Sequence, residues 1–241
     1  MKSLIVVPTY NEVENLRPLV GDILKSVPDS VDVLIVDDGS PDGTGALADL
    51  LAHEHVGRVH VLHREKKMGL GTAYVAGFGW GMKRPEYVNL IEMDADFSHH
   101  PKYLPRMLEV LSRADVAIGS RYVHGGGTKN WGIGRKILSK GGSIYSRTIL
   151  GAPINDFTGG FNGWRRNVLE AVDYPTLRSD GYSFQIELKY RAFLKKFRIE
   201  EFPILFEDRK IGTSKMNKRI VFEALKRVWQ FRGARNQFLK A

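Results

Sequence analysis

Val88-Asn89-Leu90-Ile91-Glu92-Met93-Asp94-Ala95-Asp96 is the stretch on which the reading of this 241-residue chain turns. An apolar run, Val88 to Met93, enters it, and a polar turn, Ser98-His99-His100-Pro101, leaves it. A short apolar run bounded by turn residues predicts a buried strand. In an extended backbone, side chains two apart point to the same side, so Asp94 and Asp96 are expected to converge at the strand's end. Two ionised carboxylates that close repel each other unless a cation sits between them. A hard divalent ion such as Mg²⁺ is held by one or two carboxylates together with substrate phosphates. The stretch therefore predicts a metal–diphosphate site. A helix cap beside a solvated turn aspartate is the competing reading of an isolated Asp-Xaa-Asp.

The flanking chain alternates strand-like and helix-like runs. Leu4 to Val7, Val31 to Val36, Arg58 to Leu62, Val88 to Met93 and Val116 to Ile118 read as strands. Helical patterns cover Glu12 to Lys25, Gly45 to His53, Thr72 to Met82 and Pro101 to Leu111. Such alternation predicts an α/β fold, a mostly parallel twisted sheet with helices on both faces. In open sheets of that kind ligands bind at the carboxyl ends of the strands. The runs end in Pro8-Thr9-Tyr10-Asn11-Glu12, Asp37-Asp38, Arg64-Glu65-Lys66-Lys67, Asp94-Ala95-Asp96 and Gly119-Ser120-Arg121-Tyr122. Topology is expected to gather these polar ends on one rim. A dinucleotide fingerprint should follow the first strand, where Pro8-Thr9-Tyr10-Asn11 stands instead, and no Walker-type phosphate loop is present.

Composition narrows the classes further. An apolar share of 43% is ordinary for a globular core, and 241 residues suit one α/β domain. There is no cysteine, which excludes a disulfide framework and a thiolate site and fits a reducing compartment. The apolar run after Met1-Lys2-Ser3 is too short for a signal-peptide core, and no uncharged apolar stretch approaches 18 residues. Residues 186–241 carry 15 Lys and Arg against 6 Asp and Glu, while the first 185 carry 21 of each sign. A basic C-terminal quarter points to an anionic partner: phosphate substrate, anionic lipid or nucleic acid. The aromatics sit mostly in apolar patterns and no nucleic-acid module is apparent, so a nucleic-acid partner is not expected.

Three motifs, Val7-Pro8-Thr9-Tyr10-Asn11-Glu12, Val36-Asp37-Asp38-Gly39-Ser40-Pro41-Asp42-Gly43-Thr44 and Met93-Asp94-Ala95-Asp96, resemble those of family 2 glycosyltransferases with the GT-A fold. Gly119-Ser120-Arg121-Tyr122, Asn130-Trp131 with Arg135-Lys136, Asp156-Phe157-Thr158-Gly159-Gly160-Phe161, and Asp208-Arg209 followed by Gly212-Thr213-Ser214-Lys215-Met216 resemble the dolichyl- or polyprenyl-phosphate mannosyltransferase branch. The likeness runs in order from about residue 4 to about residue 230. It implies a single GT-A domain over 1–241, with a nucleotide-sugar half at about 1–122. The acceptor half and a C-terminal basic helix would follow at about 123–241.

By that resemblance Pro8, Tyr10 and Glu12 cradle the nucleoside of GDP-mannose, with Val36 and Asp38 at the base and ribose. Asp94, Ala95 and Asp96 line the diphosphate, Asp94 and Asp96 hold Mg²⁺ or Mn²⁺, and Asp96 is the direct ligand. Ser98 stands where some relatives have glutamine. Arg121, Arg209 and Lys215 occupy positions the family uses around the donor. Arginine's fork suits phosphate oxygens, and lysine serves as a point charge. Arg135, with Ser139 one helical turn on, is the expected holder of the polyprenyl (dolichyl) phosphate. Asp156 either orients the acceptor or caps the next element.

The implied reaction is an inverting transfer of mannose onto a phosphate. A phosphate monoester has its second pKa near about 6, so its oxygen is already anionic at neutral pH and hardly needs a general base. The leaving GDP is what needs help, from the metal and nearby cations. A UDP-sugar donor, giving a glucosyl or N-acetylhexosaminyl lipid, is the alternative.

With no span in the sequence, peripheral contact on the cytosolic face of a membrane, or a small membrane-anchoring partner, is expected. Asn217 to Phe231 has apolar residues at Ile220, Val221, Ala224, Leu225, Val228 and Trp229 flanked by Lys218, Arg219, Lys226 and Arg227. That spacing is amphipathic, and it fits either a membrane-lying helix or a core-packing one with a solvated face. Arg135 to Leu150 is a second candidate, with Ile137-Leu138, Ile144, Ile149 and Leu150 near lysines.

Overall fold

A computed structural model describes the backbone of residues 1–177, 179–207 and 218–240, and the side chains of the same residues apart from 218–224. Nine strands and nine helices are found among them. The strands are β1 (Lys2–Thr9), β2 (Val31–Asp37), β3 (Val59–His63), β4 (Tyr87–Glu92), β5 (Val116–Ser120), β6 (Gly127–Lys129), β7 (Asn162–Arg165), β8 (Ile199–Pro203) and β9 (Leu205–Glu207). The helices are α1 (Val13–Ser26), α2 (Thr44–Glu54), α3 (Leu70–Met82), α4 (Leu104–Arg113), α5 (Ile133–Leu150), α6 (Arg166–Ala171), α7 (Gly181–Leu194), α8 (Lys218–Gly233) and α9 (Arg235–Lys240). All five expected strands and all four expected helices are present.

Seven strands form one sheet in the order β3-β2-β1-β4-β7-β5-β8, and β6 pairs with β9 in a separate two-stranded sheet. Only β7 runs against its neighbours, pairing antiparallel with both β4 and β5. The other six strands therefore point the same way, and their carboxyl ends share one rim, as expected. Central strands are covered on both faces, which is why β1 reads as an unbroken apolar run. Leu4 and Val6 face α3 and α7, whereas Ile5 and Val7 face α1, α2 and α4, each set in its own buried cluster. Helix α3 lies close against the sheet: a Cβ on Gly77 would stand 2.4 Å from Val6 Cγ1.

Element boundaries shift by up to three residues from the sequence expectation, most at the start of the fourth helix. Pro101 to Tyr103 is a 3₁₀ turn, and α4 begins only at Leu104. Pro105 lacks an N–H and is favoured in the first turn of an α-helix, and the helix starts just before it.

Candidate active site

The nucleoside-side residues gather where β1, β2 and β3 end. Thr9 Oγ1 donates to Asp37 Oδ1 at 3.0 Å, and Asp38 N donates to Thr9 O at 3.0 Å. Glu12 N donates to Thr44 Oγ1 at 2.9 Å, which ties the segment after β1 to the start of α2. Tyr10 carries the Lys67 ammonium 4.0 Å from its ring centroid. Asp38 is buried, with Arg64 Nη1 3.0 Å from its Oδ1. Burial pushes the Asp38 carboxyl above its ordinary value, against the pull of Arg64. Val36 has its side chain wholly in the core, so only its backbone faces the rim. Arg64 and Lys67 were not singled out from sequence, although they stand in the polar end of the third strand.

The acidic stretch departs from the expected geometry. Strand β4 stops at Glu92, and Met93 N makes a last bond to Val6 O at 3.2 Å. Residues 95–98 form a turn in which Phe97 adopts φ +62°. Asp94 thus stands two residues beyond the strand's end and Asp96 stands within the turn, so neither is part of the strand. The turn is built by Asp96, whose Oδ1 accepts from Ser98 N at 3.1 Å and from Ser98 Oγ, an Asx turn that overrides extension. Ser98 therefore meets Asp96 itself. Tyr74 OH donates to Asp94 Oδ1 at 3.2 Å, and burial beside Asp94 raises the phenol well above its usual value, keeping it a donor. The Asp94 side chain is 32% exposed, while Asp96 and Ala95 are buried. Among the described residues no group of three or more His, Cys, Asp or Glu forms a metal cage. One accessible and one buried carboxylate suit a hard divalent ion whose remaining ligands are phosphate oxygens and water.

Arg121 and Asp156 are spent on each other. Arg121 Nε and Nη2 donate to the two Asp156 oxygens at 2.7 Å each, and Arg121 N adds a third bond at 3.0 Å. Gly159 N supplies a fourth at 2.9 Å, and Arg121 Nη2 also reaches Thr158 Oγ1 at 2.8 Å. Burial would raise the Asp156 carboxyl, but the Arg121 guanidinium wins and holds it at about 2. Behind this pair, fully buried Lys189 donates to the carbonyls of Asp156 at 2.8 Å and Gly159 at 2.7 Å. Burial lowers the ammonium and raises the neighbouring Glu92 carboxyl, which accepts from Asn162 and Trp164 at 3.0 Å each. A glutamate inside the apolar run of β4 was the one visible sign of this network.

The acceptor candidates lie on α5. The Arg135 guanidinium sits 4.0 Å from the Trp131 ring centroid, and Ser139 Oγ accepts from Tyr122 OH at 2.7 Å. An aromatic chain joins them to the acidic turn: Trp131 to Phe206 at 5.2 Å, then Phe206 to His99 at 5.4 Å. Burial lowers His99 below its ordinary value, against the pull of Asp94 and Asp96. Arg209 and Lys215 lie outside the described residues.

Helix α5 turns its apolar stripe outward. Ile133, Ile137 and Ile144 are 77%, 68% and 55% exposed. Spacings of four and seven put them on one face. Lys136, Lys140 and Arg147 repeat the same spacing in an exposed row beside them. Helix α8 behaves otherwise: Val228 and Phe231 are buried in the core, and Trp229 is exposed. Leu225 O accepts from Tyr145 OH at 3.4 Å, binding α8 to α5. Of the expected stripe on this helix, Ile220, Val221 and Ala224 lie outside the described side chains. No described helix is long and apolar enough to cross a membrane.

Comparison with known proteins gives three results. The sequence model of glycosyl transferase family 2 matches residues 4–173. A polyprenol monophosphomannose synthase of Mycolicibacterium smegmatis is 50% identical over 235 residues, covering 96% of this chain and 88% of the relative. An undecaprenyl-phosphate mannosyltransferase of Micrococcus luteus is 49% identical over 225 residues, covering 93% and 91%. Among solved structures, a glucosyl-3-phosphoglycerate synthase from Mycobacterium tuberculosis, in complex with Mn²⁺, UDP-glucose and phosphoglyceric acid, superposes with a TM-score of 0.70. It shares 16% identity and the match covers 96% of this chain and 80% of that one, a likeness of fold.

Proposed function

The chain belongs to glycosyl transferase family 2, and on that premise we propose that it moves mannose from GDP-mannose to a polyprenyl (dolichyl) phosphate with inversion, releasing GDP. The observation that carries this reading is the near-half identity, over more than nine-tenths of the chain, to two relatives both named for mannosyl transfer to a polyprenyl carrier.

In this reading residues of about 1–122 hold the donor and those of about 123–241 the acceptor. Pro8, Tyr10, Glu12, Asp38 and the backbone of Val36 take the nucleoside. Asp94, Ala95, Asp96 and Ser98 face the diphosphate, with Arg209 and Lys215 as further cations. Asp94 and Asp96 would hold Mg²⁺ or Mn²⁺, which supplies charge stabilisation to the leaving diphosphate. The Arg121–Asp156 pair acts as the floor that fixes the 156–159 loop; its charges are already matched. Arg135, steadied on Trp131, and Ser139 take the acceptor phosphate. That phosphate is anionic at neutral pH, so the residues need only orient it for attack on the sugar carbon.

The lipid acceptor requires contact with a membrane, and the outward stripe of α5 with its basic row suits an anionic lipid surface. The cysteine-free chain fits the cytosolic face. Arg135 and Ser139 are half-buried on the protein side of the same helix, close to where a lipid headgroup would arrive.

Transfer of label from GDP-mannose or UDP-glucose to a short polyprenyl phosphate, with and without Mn²⁺ or Mg²⁺, tests the assignment. Metal-dependent mannolipid from GDP-mannose alone is expected, and Asp96→Ala should abolish it. Product only from UDP-glucose would overturn the donor, and wild-type turnover in the variant would overturn the metal site.

A further inference from the structure

We infer that His99 is a positioning residue of the acidic turn: as the neutral ring with its proton on Nε2, it accepts the backbone N–H of Asp94 at Nδ1 and so fixes where the diphosphate-facing carboxylates stand. The inference rests on the metal–diphosphate reading of Asp94 and Asp96.

The argument starts from the backbone. The sheet ladder ends when Met93 N bonds to Val6 O, and the next amide is Asp94 N. It donates to His99 Nδ1 at 3.1 Å. A ring nitrogen that accepts an N–H bears no proton, which assigns the proton to Nε2. His99 Nδ1 also lies 3.7 Å from Asp94 Oδ2. Both the separation and the acceptor role of Nδ1 make that contact too weak to be an ion pair.

The ring has little freedom to do anything else. It is 1% exposed, stacks on Phe161 at a tilt of 29° with centroids 5.2 Å apart, and meets Phe206 edge-on at 5.4 Å. Phe161 is in turn tied to β5 through Gly119 N, which donates to Phe161 O at 2.9 Å. The imidazole thus bridges the two ends of the Asp94–His99 turn, while the Asp96–Ser98 bonds and the positive φ of Phe97 shape its middle. Groups that orient a metal-binding residue without touching the metal typically change affinity or activity by about 10–100-fold when removed.

Two substitutions separate the acceptor from the packing. His99→Phe keeps a ring against Phe161 and loses the acceptor. His99→Asn loses the ring but can place an amide oxygen where Nδ1 stands. Calorimetric binding of GDP in the presence and absence of Mn²⁺, with guanosine as a control, reads the effect in the full chain. The expected result is that His99→Phe loses about 10–100-fold of the Mn²⁺-dependent GDP affinity while guanosine binding holds, and that His99→Asn recovers most of it. Long-range proton–nitrogen NMR of the ring, recorded without ligand, should show the proton on Nε2. A proton on Nδ1, equal losses in the two variants, loss of guanosine binding in parallel, or wild-type affinity in His99→Phe would each overturn the inference. GDP binding by the wild type that ignores Mn²⁺ would overturn it together with the metal reading; an Nε2–H ring would then identify the metal reading as what failed.

Discussion

Replacing Asp156 with asparagine breaks the most completely buried ion pair in the described structure, and the size of the effect follows from the geometry. The side chains of Arg121 and Asp156 are 4% and 0% exposed, and the guanidinium grips both carboxylate oxygens at 2.7 Å. Asparagine keeps one acceptor oxygen for four donors and leaves an uncompensated cation in the interior. Removing one partner of a buried pair costs about 3–5 kcal/mol. At this chain length each kcal/mol moves the melting temperature by about 2–4 °C, so calorimetry should record a fall of about 6–20 °C. Arg121→Met combined with Asp156→Leu should be less damaging than either single change, because a matched apolar pair strands no charge. The acid limb offers an independent check. Asp156 is held at about 2, below its ordinary 3.8, so its stabilisation is complete above about pH 4 and fades as the pH falls toward 2. That difference corresponds to about 2 kcal/mol, less than the asparagine substitution, which turns an NH2 donor toward groups that are themselves donors. Asp156→Asn should flatten stability over that window. A melting temperature within about 2 °C of wild type, or additive losses in the double variant, would refute the reasoning.

Arg135→Ala should raise the apparent KM for the lipid acceptor more than for the nucleotide sugar in steady-state assays; equal effects would argue against its acceptor role. Ile137→Asp with Ile144→Asp should cut co-flotation with anionic vesicles at low salt while leaving the urea midpoint nearly unchanged, because both side chains are exposed. Unchanged flotation would move the membrane contact elsewhere. Gly77→Ala should destabilise the fold by about 1–3 kcal/mol in urea titrations, because its Cβ would meet Val6 of the central strand.

By itself the sequence determined the layered fold. Five strands, four helices and the single polar rim follow from apolar runs and periodicity, since these signals lie within ten or fifteen residues of chain. The identities of Asp94 and Asp96 were equally plain, because a carboxylate's chemistry travels with its residue. Their geometry was not. Strand alternation placed both on one face, whereas the Asp96–Ser98 bonds and the His99–Asp94 contact curl the segment into a turn. Arg121 read as a phosphate-binding cation and Asp156 as an acceptor or cap residue, yet they neutralise each other across 35 positions. Lys189 enters the core only because three backbone carbonyls of the 156–159 loop converge on it. The two basic amphipathic segments looked alike in sequence, and neighbours separated them: α8 turns Val228 and Phe231 into the core, while α5 leaves Ile133, Ile137 and Ile144 outward. Periodicity tells which residues share a face. Which face is covered, and which opposite charge a buried ion meets, depends on packing between segments remote in the chain, and only the tertiary structure decides it.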